Sequence, residues 1–144
     1  MRRVSMLALT LAALAATALL SATAVEVRAP AAGPKVFELR TYHTHPGRLE
    51  ALHARFRDHT CRLFKKHGME LVGFWTPQAD QKGKGETLVY LLAFPSREAA
   101  AASWQAFHDD PEWKAAKDAS EKDGPIVKVV ESVFLDPTGY SPIQ

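Results

Sequence analysis

From Val36 to Thr44 the sequence VFELRTYHT alternates, with Phe37, Leu39 and Thr41 on one side and Glu38, Arg40 and Tyr42 on the other, the period of two imposed by a half-buried strand. Pro46-Gly47 ends that pattern. From Arg48 to His67 the period lengthens, and Leu49, Leu52, Phe56 and Leu63 fall within an arc of about 60° at 100° per residue, an amphipathic helical stripe. Its end is marked by KKHG, where cations meet the negative end of the dipole and Gly68 accepts the left-handed cap conformation. MELVGFWTP and ETLVYLLAFP are aromatic, aliphatic and of strand length, and they flank the polar segment QADQKGKG as the arms of a hairpin. Ser96 is placed to cap a helix whose Ala100, Trp104 and Phe107 share a face, and Asp110-Pro111 restarts it with Trp113 and Ala116 inward. IVKVVESVFLDP, after Gly124-Pro125, supplies a last strand.

The order strand, helix, strand, strand, helix, strand predicts an α+β fold, a ferredoxin-like βαββαβ domain with its helices on one face of the sheet. The other face is expected to carry Val127, Val129, Val133 and Leu135 or their alternates, too apolar a set to stay wet. A second copy of the chain is the simplest cover, so a homodimer is expected.

Residues 1–24 follow a different rule. Two arginines, an apolar run and the triplet Ala22-Thr23-Ala24 have the layout of a secretory signal peptide cleaved before Val25. The run from Leu7 to Leu20 is shorter than the roughly 20 residues of a spanning helix, so no stable membrane anchor is expected after cleavage. Residues 25–35 read as a flexible leader and 36–144 as one domain. Export, periplasmic or secreted, also changes the charge balance: the chain has 18 basic and 16 acidic residues, and the excess lies in Arg2 and Arg3. The remainder is balanced and has no basic run with interleaved aromatics, which argues against a nucleic-acid partner. Cys61 is the single cysteine, so no internal disulfide supports the domain.

Five of the six histidines lie between His43 and His67. His53 and His59, six residues apart, diverge around the helix and do not make the i, i+4 grip of a helical metal site. His43 and His45 share one side of an extended segment, but only His108 or a partner chain is left to complete a site, so neither a metal nor a cofactor is expected. His67 reads as a helix-end cation. His59 lies about 50° from the centre of the apolar stripe, where its ring either meets a backbone carbonyl at the core edge or enters a pocket between helix and sheet as a base or donor. Glu38 and Arg40 are read as bonded to each other's neighbours across strands or across the dimer, with a substrate-anion site at Arg40 as the alternative. Tyr42 continues that polar row. Trp75, Tyr90, Trp104 and Trp113 are core aromatics in the simplest account, with room for one to line a pocket. The candidate ligand-binding residues are therefore His59, Arg40, Tyr42 and Trp75, with His59 the one candidate for catalysis.

The segment VFELRTYHTHPGRLEALHARFRDHTCRLFKKHGMELVGFW, together with FHDDPEW and ESVFLDPTGYSP, resembles the NIPSNAP family over residues 36–142. The resemblance implies a dimeric α+β barrel but supplies no general catalytic motif. The wider barrel superfamily includes cofactor-free monooxygenases, muconolactone-isomerase-like enzymes and heme proteins, so fold alone leaves the activity open. The expected function is a homodimeric module binding a small molecule or a partner; the alternative is a cofactor-independent monooxygenase or isomerase.

Overall fold

The computed structural model describes residues 33–144, so the expected signal segment and most of the leader lie outside the described residues. Strand β1 (Val36–Thr44) leads through Gly47, at a φ of 74°, into helix α1 (Leu49–Arg55), a π-helical turn (Phe56–Thr60) and α2 (Cys61–Lys66). Strands β2 (Glu70–Trp75) and β3 (Thr87–Phe94) form the expected hairpin, followed by α3 (Arg97–Asp109), α4 (Pro111–Ser120) and β4 (Val127–Leu135). The four strands are antiparallel in the order β2-β3-β1-β4, the ferredoxin-like arrangement, with the helices on one face.

The helix ends form where the side chains dictate. Ser96 Oγ accepts from the Ala99 N–H at 3.1 Å, and Asp110 Oδ1 accepts from the Glu112 N–H at 2.8 Å, satisfying donors left open at the starts of α3 and α4. The second Asp110 oxygen, Oδ2, receives Lys66 Nζ at 2.8 Å and His67 Nε2 at 2.7 Å. His67 is thus a helix-end group that ties the end of α2 to the α3–α4 junction.

Between sheet and helices the core gathers Leu52, Phe56, Leu63, Phe64, Met69, Leu88, Tyr90, Leu92, Phe94 and Phe107, all buried. Its centre is aromatic: Phe56 meets Tyr42, Phe64, Phe74 and Tyr90 at centroid distances of 5.3–6.0 Å, and Tyr90 stacks on Phe74 at 5.5 Å.

Register decides which face each strand residue serves. Glu38, Arg40 and Tyr42 pair with Leu92, Tyr90 and Leu88, residues buried under the helices, so the polar row of β1 faces the helix layer. Leu39, Thr41, Val89, Leu91, Val129, Val133 and Leu135 face the other way, as expected. Val127 departs from that expectation. His43 pairs with Val129 and Thr44 with Val127, which leaves Lys128 as an extra residue in β4. This bulge turns Val127 and Lys128 toward a cleft on the helix side.

Candidate functional site

The polar row of β1 makes a closed set of bonds. Glu38 is 1 % exposed, and its carboxylate accepts from Arg40 Nη1 at 2.7 Å, Trp104 Nε1 at 2.6 Å and Ser132 Oγ at 2.6 Å. The Arg40 guanidinium lies 4.2 Å over the Trp104 ring and 5.6 Å over that of Tyr42. Burial works against its charge, but Tyr90, Tyr42 and Glu38 outweigh that and hold its pKa above the ordinary arginine value. Arg40 is therefore paired to Glu38 two positions along its own strand, where cross-strand or cross-dimer partners were expected. His108 stacks on Trp104 at 5.6 Å, and burial followed by the Arg40 charge lowers its pKa. Burial, then Tyr42, raises the Tyr90 pKa well above 10, so the phenol stays neutral; its hydroxyl and Arg40 Nε have no hydrogen-bond partner among the described residues.

Beside this set lies a cleft of about 380 Å³, within the roughly 300–1,000 Å³ typical of small-molecule pockets. It exists because β4 is an edge strand. Val130, on the helix side and 44 % exposed, is left without a helix above it, and Val127, Lys128 and Val130 form one wall. Phe56, Thr60 and Phe64 of the long helix form a second wall, and Phe107, Trp113, Lys117 and Glu121 a third; Tyr42 from β1 completes the floor. At the mouth, Arg55 is 4 % exposed, donates from Nη1 to Glu121 Oε1 at 3.0 Å and to Ser120 Oγ at 3.3 Å, and lies 5.3 Å over the Trp113 ring. Its Nε, also buried, has no partner among the described residues.

The four sequence candidates separate. Arg40 and Tyr42 belong together in the helix-facing layer, and Tyr42 alone of the four lines the cleft. Trp75 pairs with Val89 on the open sheet face, is 54 % exposed, and folds its ring over Gly73, where a Cβ would stand 2.5 Å from the indole. His59 is exposed and lies over shallow surface depressions shared with Ala116 and Ala119, away from the gap between helix and sheet. The expectation that its ring sits at the helix–sheet edge is corrected by the π-helical turn. Cys61 N–H bonds to Phe56 O, an i→i+5 bond, so more residues are spent on that turn. His59 stops short of the core direction, and Thr60 reaches it, 1 % exposed, with Oγ1 donating to Arg55 O at 3.2 Å. Thr60, Arg55, Lys117 and Lys128 were missed by periodicity, which treats charged or hydroxyl residues as outward-facing. Trp113 was named only as one aromatic among several. Among the described residues no three His, Cys, Asp or Glu side chains lie together as a metal would require.

A four-stranded sheet in this order, helices on one face, an apolar opposite face and a cleft under the β4 edge define a ferredoxin-like α+β protein. Within that class the NIPSNAP family model matches residues 37–142, and the chain belongs to the NIPSNAP family. It is similar to Atu4242 from Agrobacterium tumefaciens, with 25% identity over 76% of this chain and 99% of that one and a TM-score of 0.65. It is also similar to a NIPSNAP domain protein from Burkholderia xenovorans, with 24% identity over 74% and 98% of the two chains and a TM-score of 0.62. SnoaB, a cofactor-independent oxygenase from Streptomyces nogalater, shares the fold at 13% identity, 76% and 99% coverage and a TM-score of 0.50. No protein of curated function matches the chain.

Proposed function

We propose that this NIPSNAP protein is an exported, homodimeric small-molecule-binding module whose ligand lies in the cleft between β4 and the helices. The observation that carries the binding role is the cleft itself, an aromatic floor of Tyr42, Phe56, Phe64, Phe107 and Trp113 left open where an edge strand outruns its helix cover. Such concave, largely apolar sites with a few polar groups at the rim are where small ligands bind. Support for export is the charged, then apolar, then small-residue layout of residues 1–24. Support for the dimer is the apolar open face of the sheet. Among the described residues no helix is long and apolar enough to cross a membrane.

The test is native mass spectrometry of protein recovered after export, followed by extraction of any copurified compound and its titration against the intrinsic tryptophan fluorescence. A chain beginning at Val25 with a bound small molecule is expected, and Val130→Trp, which fills the mouth from an exposed position, is expected to abolish binding while leaving the melting temperature close to wild type. A ligand bound equally well by that variant would sink the assignment to this cleft. A cofactor-independent oxygenase or isomerase is the second reading, favoured by the fold shared with SnoaB and by the unpaired Tyr90 hydroxyl one ring behind the Tyr42 floor. Under that reading the bound compound is turned over, by an oxygenase only in air and by an isomerase without it.

A further inference from the structure

We propose that the cleft selects an anion, a small planar molecule whose apolar ring rests on the Trp113–Phe107–Tyr42 floor and whose carboxylate is held at the mouth by Arg55, Lys117 and Lys128. This rests on the small-molecule reading above and adds the chemical class of the ligand. The floor sets the apolar part. Phe107 and Trp113 stand 4.5 Å apart at 34°, and Tyr42 meets Phe56 edge-on at 5.9 Å, so the interior offers ring faces and edges for a flat molecule.

The charge at the mouth is one-sided. Of the charged groups lining the cleft, Arg55, Lys117 and Lys128 are cations and Glu121 is the single carboxylate. Glu121 is already committed to Arg55 at 3.0 Å, whereas neither lysine has a carboxylate within ion-pair distance among the described residues. Two lysines of the cleft lining are thus left without a carboxylate partner. Arg55 is held 5.3 Å over the Trp113 ring by Glu121 and Ser120, which fixes its charge beside the two lysines in the cleft lining. The lysines come from different elements, Lys117 from α4 and Lys128 from the β4 bulge, and the extra residue in β4 accompanies Lys128's place in the cleft wall. A neutral ligand would use the floor and leave these cations idle. A carboxylate uses both, gaining charge-assisted hydrogen bonds at the mouth.

The experiment compares two probes of one shape, 2-naphthoate and 2-naphthamide, by calorimetry on the protein recovered after export, at low salt. Naphthoate is expected to bind roughly tenfold more tightly than the amide, a difference that shrinks as salt is raised. Lys117→Gln/Lys128→Gln, both at exposed positions that spare the core, is expected to bring naphthoate down to the amide's affinity while leaving the amide unchanged. Lys82→Gln/Lys84→Gln in the β2–β3 loop removes the same net charge elsewhere and is expected to keep the preference. Equal binding of the two probes by the wild type would overturn the anionic class while leaving the small-molecule reading in place. Binding of neither probe would overturn both. A preference that survives in the Lys117/Lys128 double variant would place the anion outside this cleft and overturn the proposal.

Discussion

Three donors converge on the Glu38 carboxylate, and that convergence lets a charged Arg40 sit between a sheet and a helix layer. Removing one partner of a buried pair leaves the other charge uncompensated, which costs about 3–5 kcal/mol. Glu38→Ala is therefore expected to destabilise by about that much, measured by urea denaturation, whereas Ser132→Ala, which removes one exposed donor of the three, is expected to cost about 1 kcal/mol. Equal losses would mean that the carboxylate is not the centre of the set. Asp110 supplies a pH-dependent counterpart. Hydrogen bonds from Lys66 and then His67 hold its carboxyl far below the usual carboxylate value. A depressed folded pKa gives stability that is fully present above the unfolded value of about 3.9 and is lost as pH falls through the folded value. Asp110→Asn is expected to melt lower than wild type at neutral pH, with the gap narrowing only once the pH drops below about 4. A gap that stays constant down to strong acid would show that the charge on Asp110 is not what matters there.

At the scale of elements, strands and helices were legible because burial on one side imposes a period, and the period survives in Leu52, Phe56 and Leu63 or in the alternation of β1. The Ser96 and Asp110 caps were legible because few side chains reach a helix-start N–H. Two local irregularities were not legible, and both border the cleft. The π-helical turn leaves no compositional trace, since FRDHT accommodates an α-helical turn as readily, and at 100° per residue His59 and Thr60 flank the stripe equally. The β4 bulge is hidden for a similar reason: VKVV continues to look like a strand whichever valine is counted first. Arg40 and Tyr42 were found because a polar row within an apolar sheet is conspicuous; Arg55, Lys117 and Lys128 were not, because cations on a helix or edge strand ordinarily face solvent. The π-helical turn carries its own prediction. His59→Ala is expected to leave the melting temperature within about a degree of wild type, since exposed substitutions shift stability by about 0.5 kcal/mol or less. Thr60→Val, which removes the bond to the Arg55 carbonyl, is expected to lower stability by about 1–2 kcal/mol. The reverse ranking in thermal melts would restore His59 to the helix–sheet boundary.

For the whole molecule, the decisive feature is the sheet face that carries no helices. Trp75, Val129, Val133 and Leu135 are each 40–54 % exposed there, alongside the half-buried Leu39, Val89 and Leu91, so the apolar surface runs across all four strands. The C-terminal tail covers one end of it, with Pro137 and Ile143 near Phe37 and Leu135, and leaves the middle open. Monomeric soluble proteins rarely expose so continuous a patch, and a twofold partner presenting the same face would bury it without any new element. Of the acidic groups in that face, Glu131 has His43 Nε2 at 3.3 Å and Glu70, opposite Ala93, has Lys35 Nζ at 2.6 Å, which softens the cost of taking them out of water. A dimer is accordingly expected for the wild type by light scattering at micromolar concentration. Val133→Lys places an unpaired charge at the patch and is expected to yield a monomer, or no folded protein where the monomer cannot stand alone. Val130→Lys, on the opposite side of the same strand, serves as the control and is expected to keep the dimer. A wild-type monomer at that concentration would remove the facing-sheet assembly, while leaving the cleft, which is built from residues of one chain, as it stands.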